Sequence, residues 1–109
     1  MDSKEKAIAI VKRYAGALQQ RKVPVKLLIL FGSQARGTAG PDSDLDVLVV
    51  VERMDKKIRG IIIDEAFELS LQEGKDLLAL PCSLEEFQSP LFQADAFYQN
   101  VQREGVIVS

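Results

Sequence analysis

Two carboxylates stand two residues apart at Asp44 and Asp46, at the head of a valine-rich stretch that runs to Glu52. In an extended strand, residues two apart project from the same face. Both carboxylates therefore leave the chain together and repel each other when ionised. A solvated strand entry tolerates that repulsion, and a divalent cation removes it. Hard oxygen donors of this kind suit Mg²⁺ or Mn²⁺. Upstream, Gly32-Ser33 follows the apolar run Val25 to Phe31, and Ser33 opens a short helical turn. Free backbone N–H groups at a helix start attract phosphate, and glycine lets a phosphate approach the backbone. The Ser33 hydroxyl adds a donor. Arg36, one helical turn later, fits either a phosphate contact or an ion pair with a loop acid such as Asp42. Taken singly, Gly-Ser is a turn and Asp-x-Asp a polar strand entry. Together they place a phosphate cradle beside a metal-binding pair, the usual way Mg²⁺ bridges nucleotide phosphates to carboxylates.

Composition narrows the chemistry further. The chain has no histidine, which excludes His-ligated zinc, a Ser-His-Asp triad and imidazole acid–base catalysis. Proton transfer would fall to carboxylates, lysine, tyrosine or the one thiol. That thiol, Cys82, excludes an intrachain disulfide. At 109 residues the chain is the size of one domain spanning 1–109, and such a chain buries roughly two thirds of its unfolded surface without staples. No secretory apolar region follows the N-terminus, and no run approaches the roughly 18 apolar residues of a membrane span. A cytoplasmic protein is expected. Charge is uneven: residues 1–27 carry a balance of +5 and the remainder −7. A basic first helix suits an acidic partner or nucleic acid, or is simply a solvated face. Few aromatics and no tryptophan argue against direct nucleic-acid stacking.

The elements that must hold these residues alternate between helical and strand periods. Residues 3–21 read as an amphipathic helix with Ser3 as N-cap and Ala7, Val11, Tyr14 and Leu18 on its apolar face. Strands follow at 25–31 and 44–52, with a helical turn at 33–36 and a Gly/Pro loop between them. Residues 55–73 form a helix ended by Gly74. A third strand covers 75–80, stopped by Pro81. A short helix from Ser83 or Leu84 to Phe87, a helix from Pro90 to Glu104, and a terminal strand at 106–108 complete the chain. This order predicts an α/β (α+β) fold, a small mixed sheet with flanking helices. Apolar residues cover more than half the circumference of helix 55–73, so part of that surface must meet another helix, a second subunit or a partner. Tyr14, Phe87, Leu91, Phe92 and Phe97 read as packing, Cys82 as a small, partly buried hydrophobe, and Tyr98 as core or surface.

The spacing Gly32-Ser33, ten residues, Asp44-x-Asp46 resembles the signature of the DNA polymerase β-like nucleotidyltransferase superfamily. The fuller string, with Ala35, Arg36, Gly37 and Ser43 also in place, is similar to its minimal nucleotidyltransferase (MNT) branch. The resemblance implies a polymerase β palm-like fold and transfer of a nucleoside monophosphate, AMP from ATP, with release of pyrophosphate. It implies that Asp44 and Asp46 hold Mg²⁺, two ions in all, and that a third acid on a later strand joins them. Asp76, before the apolar run Leu77 to Leu80, is the candidate; it also reads as an exposed carboxylate after a Gly-Lys turn. Gly32, Ser33, Arg36 and Ser43 would bind the nucleotide. Stand-alone members pair with small helical HEPN proteins as antitoxins, in some cases by adding AMP to a tyrosine of the HEPN toxin. A catalytically silent antitoxin and a small-molecule transferase of the aminoglycoside type are the alternatives. The chain has no residues for a second domain, so the acceptor site must be shallow, completed by a homo-oligomer through helix 55–73, or supplied by another protein.

Overall fold

The computed structural model describes residues 2–36 and 44–109, with Ser33 and Arg36 described by their backbone alone. Residues 37–43, which include Gly37, Asp42 and Ser43, lie outside the described residues. The first helix, α1 (Ser3–Gln20), buries Ala7, Ile10, Val11, Tyr14 and Leu18. Its N-cap is Asp2 and not Ser3: the Asp2 carboxylate accepts from the Glu5 N–H at 2.8 Å. Ser3 instead donates its hydroxyl to the side-chain oxygen of Gln34 at 3.0 Å. The chain continues through β1 (Val25–Phe31), α2 (Ser33–Arg36), β2 (Leu45–Val51), α3 (Lys56–Glu73) and β3 (Leu77–Ser83), then α4 (Leu84–Gln88), α5 (Pro90–Gln93), α6 (Ala96–Glu104) and β4 (Val106–Ile107).

The four strands form one mixed sheet in the order β3-β2-β1-β4. β1 runs antiparallel to β2 and β4, while β2 and β3 are parallel. A parallel pair needs a crossover, and α3 supplies it. Alternation sends side chains to two cores. Leu28, Leu30, Leu45, Val47, Val49, Val51 and Leu77 pack against α1 and α3. Ile29, Leu48, Val50 and Cys82 face the other way, toward Phe87 and Val101. On that second face Phe31, Phe87, Phe92, Phe97 and Tyr98 meet at tilted or edge-on angles, with centroids 5.2 Å apart for Phe31–Phe97 and 5.5 Å for Phe87–Tyr98. Tyr14 is fully buried, and its hydroxyl donates to the Ile62 carbonyl at 2.7 Å, pinning α1 to α3. Ion pairs Arg13–Glu73 and Arg21–Glu65 join the same two helices. Part of the basic N-terminal region is thus neutralised within the fold.

The mixed sheet with flanking helices is as the sequence predicts, but beyond the N-cap three further local expectations change. β3 does not stop at Pro81; it runs to Ser83, with Pro81 opposite Val49. The Leu45 N–H donates to the Asp76 carbonyl at 2.9 Å, which sets the phase of the ladder. Asp76, Leu78, Leu80 and Cys82 then point their backbone groups at β2, and Leu77, Ala79 and Pro81 point theirs outward. A proline on the outer edge forfeits no ladder bond. The helix expected from Pro90 to Glu104 is two helices, broken where Asp95 accepts from the Phe97 N–H at 2.7 Å. Aspartate gains more as an N-cap than in a helix interior. Leu91 is not packing at all: it is 87% exposed. Among the described residues no helix is long and apolar enough to cross a membrane.

Cys82 is buried more completely than the sequence suggests. Burial, with the nearby Glu86 carboxylate, pushes its thiol up to about 11. The folded protein is therefore expected to resist iodoacetamide at pH 8 and to react rapidly once unfolded; mass spectrometry of both states checks this. The raised value also means that stability held below the thiol's ordinary range declines as pH climbs through about 11.

Candidate active site

Three chain segments meet at one end of the sheet because of strand direction. β1 is antiparallel to β2, so its last residues, Phe31 and Gly32, lie beside the first residues of β2. β3 is parallel to β2, so its start lies at that end as well. Asp46 sits opposite Phe31 on one side and Leu78 on the other. Asp44 and Asp76 each stand one residue before the first paired residues, Leu45 and Leu77. Leu45 and Leu77 point into the core under α1 and α3. By alternation, residues 44, 46, 76 and 78 belong to the opposite face. The aromatic cluster leaves this end open: Leu78 and Leu80 remain 47% and 44% exposed.

Asp44 and Asp76 are exposed, and Asp46 is half-buried. Gly32 explains why the turn and the acid belong together. Its φ is +78°, in the left-handed region that favours glycine, and a Cβ built there would lie 2.5 Å from Asp46 Oδ2. The Asp46 carboxylate therefore rests against the Gly32 backbone. α2 begins at the next residue, so the helix start and the acid share one corner of the molecule. Two buried residues of α2 anchor it: Ala35 is 4% exposed, and Gln34, fully buried, accepts the Ser3 hydrogen bond. The Ser3–Gln34 tie was not legible in the sequence, because it joins residues 31 positions apart.

The register thus brings Asp44, Asp46 and Asp76 to one end of the sheet, with Gly32 against Asp46. Among the described residues no three His, Cys, Asp or Glu side chains are gathered into a metal-holding group. The three acids share an end without closing on a common point. As a donor set they offer only hard carboxylate oxygens, which fits Mg²⁺ and not a soft or nitrogen-seeking metal. Ser43 lies outside the described residues, and Ser33 and Arg36 are placed here by backbone only. Cys82 pairs with Val50 far along β3, away from this corner. The Tyr98 hydroxyl accepts from the Gln102 side chain at 2.9 Å, and its ring is part of the aromatic cluster.

A mixed sheet with acids at one end, beside a glycine turn that feeds a helix, is the arrangement expected of a nucleotidyltransferase, and the comparisons bear out that class. The chain belongs to the nucleotidyltransferase domain family, whose model matches residues 11–107. It is 34% identical over 107 residues to a Methanocaldococcus jannaschii protein named "Putative protein adenylyltransferase", covering 97% of this chain and 98% of that one. Solved structures share the fold. A toxin–antitoxin crystal structure with AMP-PNP aligns with a TM-score of 0.58 at 21% identity, over 89% of this chain and 71% of the other. A tri-AMPylated Shewanella oneidensis HEPN toxin in complex with its MNT antitoxin aligns at 0.54 and 18% identity, over 97% and 71%.

Proposed function

We propose that this protein transfers AMP from ATP to a hydroxyl of a partner protein of the HEPN type, and so acts as an antitoxin. The observation that carries this reading is the corner where Asp46 lies against Gly32 with Asp44 and Asp76 at the same sheet end. The names of the similar proteins, an adenylyltransferase and an MNT antitoxin beside an AMPylated toxin, support the acceptor class. Backbone N–H groups at Gly32 and Ser33 would bind the β- and γ-phosphates, with Arg36 and Ser43 completing the nucleotide site. Asp44, Asp46 and Asp76 would hold two Mg²⁺ ions, which supply charge neutralisation along the triphosphate when bound. The acceptor oxygen forms a bond to the α-phosphorus, the bond from that phosphorus to the bridging oxygen breaks, and pyrophosphate leaves. The hydroxyl proton passes to solvent, or to Asp76 where Asp76 serves as proton acceptor in place of metal ligand. Positioning supplies most of such a rate enhancement. The open face beside Leu78 and Leu80 gives a protein acceptor room to approach.

The test is incubation of the protein with α-labelled ATP, Mg²⁺ and a HEPN-type partner. Label on a partner hydroxyl is the expected result. A tight complex that never acquires label would instead favour a binding-only antitoxin.

A further inference from the structure

One face of α3 has no cover. Ile63, Phe67 and Leu71 are 46%, 63% and 66% exposed. They follow one another at four-residue steps, each a little more than a full turn, and so form a single stripe. Traced toward the N-terminus, the stripe passes through Gly60 and Lys56. Gly60 lies inside an eighteen-residue helix, where glycine costs about 1 kcal/mol against alanine. A Cβ at Gly60 would meet nothing within 4 Å, so no neighbour in the monomer calls for glycine there. The charges of α3 are also segregated. Lys56, Lys57 and Arg59 occupy its first turns and Asp64, Glu65, Glu68 and Glu73 its later ones. That polarity opposes the helix dipole, which favours acids at the start and bases at the end. Glu65 and Glu73 pair with α1. Lys56, Lys57, Arg59, Asp64 and Glu68 make no ion pair among the described residues.

We propose that this face is a self-complementary seam on which a second copy of the chain packs, α3 antiparallel to α3. Two-fold pairing requires matched residues to share one midpoint along the helix. Positions 60 and 67 have their midpoint between 63 and 64, and so do 56 and 71. In that register Phe67 seats on the bare backbone of the partner's Gly60, and Leu71 covers the aliphatic stem of the partner's Lys56. Ile63 meets its own counterpart beside the axis. Positions 57 and 68 share a midpoint within one residue of the same point, and both lie on one flank of the stripe. Like flanks meet in an antiparallel pair, so Lys57 faces the partner's Glu68. One register therefore fits large to small, apolar to aliphatic, and base to acid. It also sets the basic first turns of each helix beside the acidic later turns of the other.

Sedimentation velocity on the full chain is expected to give a species of twice the 12.1 kDa chain mass. Phe67→Asp and Gly60→Leu alter positions open to solvent in the monomer, so far-UV circular dichroism should report an intact fold. Each is expected to raise the dimer Kd by about thirtyfold or more. Lys57→Glu and Glu68→Lys should each weaken the dimer, whereas the double exchange restores it, as does mixing the two single variants. A wild-type chain that stays monomeric to its solubility limit overturns the proposal and leaves the stripe to a different protein. So does a dimer indifferent to Gly60→Leu, or a double exchange that fails to restore pairing.

Discussion

Asp44→Asn and Asp46→Asn are each expected to lower AMP transfer by about a thousandfold or more, the scale seen when a group that stabilises transition-state charge is removed. Asparagine keeps the size of aspartate and Asp44 is exposed, so Asp44→Asn should hardly move the melting temperature. Single-turnover transfer from α-labelled ATP, run beside a thermal melt, separates lost chemistry from lost folding. A double variant that transfers AMP at the wild-type rate would sink the assignment of these acids. Asp76→Asn belongs in the same series. A comparable loss places Asp76 with the pair, and an unchanged rate confines the essential acids to β2.

Gly32→Ala should produce the second large effect, through a different cause. At φ +78° an alanine carries strain of roughly 1–2 kcal/mol. Its Cβ would also press on Asp46 Oδ2 from 2.5 Å. Either the carboxylate swings away or the β1–α2 turn opens, and both displace the acid from the helix start. Because small misplacements of a reacting group are costly, transfer should fall by about a hundredfold. Gly74→Ala is the matched control. Gly74 caps α3 at φ +67°, a similar backbone strain, yet nothing lies within 4 Å of its Cβ position. It should lose stability while keeping its transfer rate. Equal activity losses in both variants would reduce the role of Gly32 to backbone strain alone.

Much of this arrangement was legible from residue order. The apolar runs at 25–31 and 44–52 carried β1 and β2, and the helical period with its Gly74 stop carried α3. Asp44 and Asp46 were identifiable because spacing fixes which face of a strand they share. Asp76 was harder: its placement depends on β3 pairing parallel to β2, a tertiary choice that no local pattern encodes. Pro81 does not end β3 because a proline stops a central strand and not an edge, and edge position is a property of the whole sheet. Asp95 split the last helix because capping outweighs one helical residue, a competition decided by geometry at its N–H groups. The Arg13–Glu73 and Arg21–Glu65 pairs join residues 60 and 44 positions apart, beyond any sequence window.

The outer rim of β3 has one more consequence. The Leu77 N–H is taken by the Ser70 hydroxyl at 2.8 Å, Pro81 has none, and the Ser83 N–H turns to Glu86 at 3.4 Å. Ala79 is left as the one outward donor on that strand. The opposite rim is β4, two residues long. Neither border can template a lengthening cross-β stack, since fibril growth needs a run of vacant donors and acceptors. A chain with so many valines in its central strand thereby carries its own protection against amyloid at both margins.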